Sequence, residues 1–169
     1  MLDTLFLDRD GVLNKKLDDT YVLLPSDIEI LPGIKDFLLW ANQAFKQILV
    51  VTNQRCIGRK MLSLIELKAI NEQINKQVGS VIQYFFVCPH LDEDNCNCRK
   101  PKTGLFLQAK EMYSIDFDNS WMIGDSVSDL IPARSLGIKT IYVGHHDSQM
   151  ADFRVESTVQ LLPSLINQG

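Results

Sequence analysis

The chain has 169 residues, of which 46% are hydrophobic and 22% are charged, and its formal net charge is -4 at pH 7. This length predicts one globular domain over residues 1–169, because two ordinary domains would need a longer chain. The acidic balance argues against a nucleic-acid partner. The first residues contain neither a basic segment nor a long apolar run, so we expect no signal peptide, no membrane partner and a cytoplasmic location. We also expect a monomer.

Short apolar runs alternate with longer segments of helical spacing, which is typical of βαβ units. The pattern predicts an α/β fold with a Rossmann-like parallel sheet and helices on both faces. The predicted strands are residues 5–7, 47–52, 80–87, 120–123 and 138–143. The predicted helices are 34–44, 62–78, one that follows Thr103 as its N-cap, one that ends at Ser135, and 159–166 with an interruption at Pro163. Residues 53–58 are expected to form a polar loop.

Two acidic residues follow the first predicted strand directly. Asp8 and Asp10 come after Leu5-Phe6-Leu7, and Gly11 permits a sharp turn that brings both carboxylates into one crevice. Open α/β sheets bind ligands at the carboxyl ends of their strands. Two carboxylates held close together need a cation, which favours bound Mg²⁺. On these residues alone, a solvated turn after the strand is the favoured explanation, and the further motifs shift this balance.

Further polar signals follow the second and fourth predicted strands, at Thr52-Asn53-Gln54 and Gly124-Asp125. Parallel strands bring their carboxyl ends to one edge of the sheet. We therefore expect residues far apart in sequence to meet in one pocket. Thr and Asn end strands routinely, so any one of these signals could be structural, but their shared position at one edge indicates a site.

Three of the four cysteines fall between positions 88 and 98. In a reducing compartment this spacing favours a metal over disulfides. The set Cys88, His90, Cys96 and Cys98 supplies three thiolates and one imidazole, enough to close a tetrahedral Zn²⁺ site with no open position. Such a site is structural, and it would fix a loop that lacks apolar residues. The alternative is a mobile loop that binds no metal.

The order of these motifs resembles the haloacid dehalogenase (HAD) superfamily. The resemblance is carried by Asp8-Arg-Asp-Gly, the strand into Thr52-Asn-Gln, Arg99-Lys100-Pro101, and Gly124-Asp125 through Asp129. The cysteine and histidine set is similar to that of the zinc-bearing branch, which contains D-glycero-D-manno-heptose 1,7-bisphosphate phosphatase and histidinol-phosphate phosphatase. The resemblance covers nearly the whole chain.

The resemblance implies a Mg²⁺-dependent phosphatase that acts through an aspartyl-phosphate. Asp8 would be the nucleophile, and Asp10 would protonate the leaving alcohol and then activate water. The Thr52 hydroxyl would bind the phosphate, and Lys100 would neutralise it and hold Asp8. Mg²⁺ would be held by the Asp8 carboxylate, the Asp10 carbonyl and Asp125. An acid-base aspartate at position 10 favours rapid turnover over pumping or dehalogenation.

The resemblance also implies an open pocket for a small phosphorylated metabolite. No interval between the motifs has room for a large cap domain. The implied substrate contacts are Asp18, Asp19, Thr20, Tyr21, Thr52, Asn53, Gln54, Arg55, Arg99 and Lys100. Tyr21 could equally serve packing. Asp129 could either orient the site through water or be a carboxylate at a helix N-terminus, which the helix macrodipole favours.

Three alternatives for function remain from the sequence. A heptose 1,7-bisphosphate-like substrate is slightly favoured over histidinol phosphate. Tyr21-Val22 and Pro101 to Gly104 resemble the heptose enzymes, whereas the five-residue gap of the zinc loop resembles the histidinol-phosphate enzymes. A catalytically silent, zinc-stabilised binding protein is suggested by Cys56 and Ser126, which depart from the family pattern.

His145 and His146 are interpreted as surface loop residues without a role.

Overall fold

The computed structural model describes residues 1–145 and 149–167 as an α/β structure. The strands are β1 (Leu2–Leu7), β2 (Phe45–Asn53), β3 (Tyr84–Cys88), β4 (Trp121–Gly124), β5 (Lys139–Val143) and β6 (Phe153–Val155). The helices are α1 (Ile34–Ala44), α2 (Arg55–Gly58), α3 (Leu64–Gln77), α4 (Gly104–Tyr113), α5 (Val127–Ser135) and α6 (Pro163–Asn167). That residues 1–169 form one domain stays a prediction.

All six strands are parallel, in the order β3-β2-β1-β4-β5-β6. The chain moves outward from β1 to β3 and then crosses back, so that β4 lies on the other side of β1. The strand order therefore reverses between β1 and β4, which is the point where open α/β sheets form a ligand crevice.

The sheet separates two apolar layers. Leu5 and Leu7 of β1 pack with helices α1, α3 and α6, whereas Phe6 packs on the opposite face with α4 and α5. Successive side chains of a strand point to opposite faces, so a continuous apolar run is what a doubly covered strand requires. The predicted Rossmann-like fold with helices on both faces is confirmed.

Four local predictions were wrong. The third strand begins at Tyr84 rather than at 80, because the Asn75 side chain hydrogen-bonds the N–H and C=O of Ile82. Residues 55–58 form a short helix instead of a loop. Thr103 is the N-cap residue of α4, as predicted, although its side chain makes no capping hydrogen bond.

The third and fourth differences are at the carboxyl end, where Phe153–Val155 forms an unpredicted edge strand. Pro163 begins α6 rather than interrupting a helix, since its fixed φ suits the first helical position. Within residues 1–145 and 149–167, no helix combines the length and the hydrophobicity needed to cross a bilayer. His145 is an exposed loop residue, and His146 lies outside the described residues.

Candidate active site

Asp8 and Asp125 meet where the strand order reverses. Asp8 follows β1 and Asp125 follows β4, and the Asp8 N–H donates to the Ile123 carbonyl at 3.0 Å, which continues the pairing of the two strands. Carboxylate oxygens of Asp8, Asp125 and Asp129 lie within 4.8 Å of one another. The predicted convergence of distant residues at one sheet edge is therefore present.

Lys100 reaches this acidic cluster from the chain that follows the cysteine loop. Its Nζ donates to Asp8 Oδ1 at 2.9 Å, to Asp129 Oδ1 at 2.6 Å and to the Val51 carbonyl at 2.6 Å, which uses all three ammonium protons. Burial alone would lower the pKa of Lys100, but the charges of Asp129 and Asp8 outweigh it and raise the pKa. Lys100 is thus a fixed cation beside Asp8.

Asp129 joins the site to the start of α5. Its Oδ1 accepts from Lys100, and its Oδ2 accepts from the Ser126 N–H at 3.1 Å in a capping box. A Cβ on Gly124 would lie 2.4 Å from Asp129 Cβ, so glycine is required for this close approach. Asp129 lies in the first turn of α5, which is one of the two positions considered from the sequence. It also contacts the site directly, through Lys100.

The surroundings of Asp125 fit a bound Mg²⁺. Asp125 Oδ1 is buried and has no hydrogen-bond partner among the described residues. Burial, followed by the charge of Asp8, raises the pKa of Asp125 to about 6. A hard cation would stabilise the buried Asp125 oxygen, which has no donor, and would offset the repulsion between the Asp8 and Asp125 carboxylates. Mg²⁺ is such a cation and prefers oxygen ligands. Glycine at position 11 permits the close approach of Asp125, because the φ of Gly11 is +94° and a Cβ there would lie 2.2 Å from Asp125 Oδ2.

Lys16 is a site residue that the sequence analysis missed. Its Nζ lies 3.2 Å from Asp125 Oδ2, although its side chain is half exposed. Burial opposes the charge of Lys16, but Asp125 and then Asp8 raise the pKa of this ammonium. Lys16 therefore competes with any other cation for the Asp125 carboxylate.

Asp10 is surrounded by donors. Its carboxylate accepts from Arg9 Nε at 3.2 Å, Arg9 Nη2 at 3.1 Å, Asn14 Nδ2 at 2.9 Å and Gln54 Nε2 at 2.8 Å. Burial raises the pKa of Asp10, but the Arg9 charge and these hydrogen bonds outweigh it, so the pKa lies below its ordinary value. The arrangement stabilises the carboxylate, which is the form that accepts a proton.

The residues that follow β2 connect the acidic cluster to its neighbours. Gln54 Nε2 also donates to Thr52 Oγ1 at 2.9 Å, so the Gln54 amide links the Thr52 hydroxyl to Asp10. The Asn53 amide makes two hydrogen bonds, of 3.0 and 3.1 Å, with the main chain of Lys100. Gln54 and Asn53, predicted as substrate contacts, thus have protein partners that fix Asp10 and Lys100.

A cavity of about 430 Å³ lies above these residues. Its rim contains every other predicted substrate contact: Asp18, Asp19, Thr20, Tyr21, Arg55 and Arg99. Two further cations, Lys16 and Arg59, also line it, and the Arg59 guanidinium lies 5.7 Å from the centre of the Tyr21 ring. Arg55 and Arg99 both contact Asp92, with Arg55 Nη2 3.0 Å from Asp92 Oδ2. The floor of the cavity is acidic and its rim carries four cations.

The four predicted zinc ligands come together in one cluster. The Sγ atoms of Cys88 and Cys98 are each 3.6 Å from Cys96 Sγ, and His90 Nδ1 lies 3.6 Å from Cys88 Sγ and 3.2 Å from Cys98 Sγ. Ligands about 2.3 Å from a tetrahedral Zn²⁺ would be about 3.8 Å apart, whereas disulfide sulfurs are about 2.05 Å apart. The donor set and its spacing fit zinc.

Comparisons with known proteins agree with this geometry. Residues 97–165 match the HAD-hydrolase-like family model. The chain is 42% identical over 127 residues to the probable D-glycero-D-manno-heptose-1,7-bisphosphate 7-phosphatase of Thermoplasma volcanium, with 73% of this chain and 86% of that protein covered. The chain belongs to the HAD-like hydrolases. This HAD-like hydrolase is also 36% identical over 139 residues to the D-glycero-beta-D-manno-heptose-1,7-bisphosphate 7-phosphatase of Helicobacter pylori, with 80% and 79% covered.

The fold of this HAD-like hydrolase has a similar solved structure, the D,D-heptose 1,7-bisphosphate phosphatase of B. bronchiseptica, complexed with magnesium and phosphate. The TM-score is 0.87 at 25% sequence identity, with 99% of this chain and 100% of that chain covered. The relatives are phosphatases by name, and the chain is accordingly an enzyme of the phosphoric monoester hydrolase class. The family resemblance seen in the motifs is confirmed.

Proposed function

We propose that this protein is a Mg²⁺-dependent phosphatase that hydrolyses a small sugar bisphosphate, most similar to D-glycero-D-manno-heptose 1,7-bisphosphate, through an aspartyl-phosphate on Asp8. The observation that carries the proposal is the position of Asp8, with one oxygen fixed by Lys100 at 2.9 Å, at the base of a cavity with a cationic rim. The names of the relatives support the sugar bisphosphate over histidinol phosphate and over a silent scaffold.

In the first half-reaction an Asp8 oxygen attacks phosphorus, and the bond from phosphorus to the sugar oxygen breaks. Lys100 holds the Asp8 carboxylate and neutralises charge that develops on the phosphoryl oxygens. Asp10 donates its proton to the departing sugar oxygen. The lowered pKa of Asp10 is raised again when a phosphate dianion binds beside it, because nearby negative charge disfavours ionisation.

In the second half-reaction a water molecule attacks the phosphorus of the aspartyl-phosphate. The Asp10 carboxylate accepts the proton of this water as the bond to Asp8 breaks, which restores both residues. The four donors around Asp10 stabilise the ionised form that this step uses. Thr52, linked to Asp10 through the Gln54 amide, is placed to bind a phosphoryl oxygen.

The metal set proposed for Mg²⁺ is the Asp8 carboxylate, the Asp10 carbonyl and Asp125. Mg²⁺ held by these residues would supply positive charge that stabilises the negative charge of the phosphoryl group. The proposed Zn²⁺ site on Cys88, His90, Cys96 and Cys98 is structural, since its four protein ligands leave no open position. Zinc would fix the loop that places Arg99 and Lys100 at the cavity.

A bisphosphate matches the distribution of charge around the cavity. The reacting phosphate would lie near Lys100, and the second phosphate would face the rim, where Arg55, Arg59 and Arg99 supply planar guanidinium donors. Ser126 offers no charge to a second phosphate, whereas Arg55, which lines the same cavity, would supply one. Asp18 to Tyr21 would contact the sugar between the two phosphates. We propose no nucleic-acid or membrane partner, and a cytoplasmic monomer.

The test is phosphate release by pure protein with added Mg²⁺ from heptose 1,7-bisphosphate, histidinol phosphate and 4-nitrophenyl phosphate. We expect the heptose bisphosphate to give the highest kcat/KM and Asp8→Asn to reduce it by at least about 10³-fold. Asp36→Asn, an exposed change on α1, is the matched control and should keep full activity. Turnover by Asp8→Asn equal to that of the wild type would refute the nucleophile, and preference for histidinol phosphate would refute the substrate.

A further inference from the structure

Arg9 is a buried charged residue beside the site, with 1% of its side chain exposed. Its Nε and Nη2 atoms donate to the two oxygens of Asp10. This bidentate geometry fixes the plane of the Asp10 carboxylate relative to the plane of the Arg9 guanidinium. The position of the Asp10 carboxylate therefore depends on what holds the Arg9 guanidinium.

The third described contact of this guanidinium is Asn71. Arg9 Nη1 donates to Asn71 Oδ1 at 3.1 Å, across 62 positions of sequence. Asn71 is 5% exposed and does not line the active-site cavity.

Asn71 is an exception on the buried face of α3. The other buried residues of this helix are Leu67, Ile70 and Ile74, so the spacing of this face assigns an apolar residue to position 71. A buried amide costs free energy unless it is hydrogen-bonded, and the Asn71 oxygen accepts its hydrogen bond from Arg9. The polar residue on this face thus serves the guanidinium.

We propose that Asn71 is a positioning residue, which acts through Arg9 to hold the Asp10 carboxylate where it can protonate the leaving group. The inference depends on the acid-base role given to Asp10 in the proposed function. Without the Asn71 oxygen, Arg9 Nη1 loses its hydrogen bond, and the Arg9 guanidinium can rotate in its own plane. The Asp10 carboxylate, which is bound to the same guanidinium, would then shift with it. Displacement of a catalytic group by about 1 Å can reduce the rate 10²-fold.

The role of Asp10 gives this inference a specific signature. Loss of a sugar alkoxide requires a proton from Asp10, whereas loss of 4-nitrophenolate requires little assistance, because this leaving group is stable as an anion. The ratio kcat/KM covers events up to the first irreversible step, so it reports leaving-group departure and not the later attack of water. A displaced Asp10 therefore lowers kcat/KM for sugar phosphates and much less for activated aryl phosphates.

The experiment compares kcat/KM of the full chain for heptose 1,7-bisphosphate and for a series of aryl phosphates of rising leaving-group pKa. Asn71→Leu should lose about 10- to 100-fold on the sugar substrate and less than about 3-fold on 4-nitrophenyl phosphate. The decline of kcat/KM with leaving-group pKa should become steeper. Asn71→Asp, which keeps an acceptor for Arg9, should restore most of the activity on the sugar substrate.

Asn75→Leu is the matched control, because Asn75 lies one turn further along α3 and its side chain bonds only the main chain of Ile82 among the described residues. It should leave the ratio between the two substrates unchanged. Asn71→Ser, whose hydroxyl is too short to reach Arg9, applies the same comparison if Asn71→Leu does not fold. If Asn71→Leu lowers kcat/KM equally on both substrates, the inference about Asn71 is wrong but the proposed function stands. If the wild type is inactive on both substrates, both the proposed function and the inference are wrong.

Discussion

The Nζ atom of Lys100 lies 2.6 Å from Asp129 Oδ1, and both side chains are at least 98% buried. Asp8 is the second partner of Lys100, at 2.9 Å. One ammonium therefore links the proposed nucleophile to the first turn of α5.

Asp129→Asn should destabilise the protein and slow the reaction. The change removes one of the two charges that balance buried Lys100, and removal of one member of a buried ion pair costs about 3 kcal/mol or more. Lys100 would also lose the contact that directs it, so kcat should fall more than about 10-fold. Urea unfolding and steady-state kinetics measure the two effects. Glu111→Gln, an exposed change on α4, is the control, and a free energy of unfolding equal to that of the wild type would contradict the role of the pair.

Much of this site could be predicted because strands buried on both faces have a simple sequence pattern. Leu5-Phe6-Leu7 is a continuous apolar run, and the acids that follow it must lie at the carboxyl edge of the sheet. The same reasoning failed for β6, whose three residues lie at the sheet edge and include exposed Arg154. A short and half-exposed strand has no distinctive periodicity.

Residues that enter the site through folding alone could not be predicted. Lys16 contacts Asp125 across 109 positions, and nothing in the local sequence of either residue indicates the other. Arg9 lies between Asp8 and Asp10 in the sequence, where a charged side chain is expected to be exposed to solvent. In the structure it is buried and contacts Asn71. Burial of a charged residue depends on partners from distant elements, which a single sequence does not specify.

Lys16→Gln should tighten Mg²⁺ binding in the absence of substrate. The Lys16 ammonium lies 3.2 Å from Asp125 Oδ2 and repels a second cation at the same carboxylate. Contacts of half-exposed ammonium groups contribute up to about 1 kcal/mol, so the gain in affinity should be at most about 5-fold. Titration calorimetry at low ionic strength measures it.

Lys15→Gln is the control for this titration, because Lys15 is adjacent in sequence but pairs with exposed Glu29 at 3.4 Å. Its Mg²⁺ affinity should equal that of the wild type. Weaker Mg²⁺ binding by Lys16→Gln would show that Lys16 supports the metal site instead of competing with it.

Cys96→Ser should remove the proposed zinc and loosen the loop that carries Arg99 and Lys100. Metal analysis should find about one zinc per chain in the wild type and close to none in the variant. The midpoint of thermal unfolding should fall by roughly 10 °C, which corresponds to about 3 kcal/mol in a chain of this size. Cys56→Ser, at a buried cysteine outside the cluster, should keep its zinc. Zinc far below one per chain in the wild type would exclude the site.

Asp3 should make the stability of the protein sensitive to acid. Its carboxylate accepts hydrogen bonds from Lys46 Nζ at 2.7 Å, Thr4 Oγ1 at 3.0 Å and the Asp116 N–H at 3.1 Å. Burial raises the pKa of Asp3, but these bonds, beginning with that of Lys46, outweigh it and hold the pKa below the ordinary value of 3.8. The folded protein therefore binds this proton less readily than the unfolded chain.

A carboxyl group whose pKa is lowered by folding stabilises the protein above its unfolded pKa, and this contribution is lost as the pH falls through the folded value. Asp3→Asn should thus lower the free energy of unfolding by about 1 to 2 kcal/mol at pH 7, and the difference from the wild type should shrink below pH 3.8. Urea unfolding at pH 7 and pH 3 measures both differences. Asp19→Asn, an exposed change, should show no such dependence. A difference between Asp3→Asn and the wild type that is the same at both pH values would mean that the Asp3 carboxylate contributes through its shape and not through its charge.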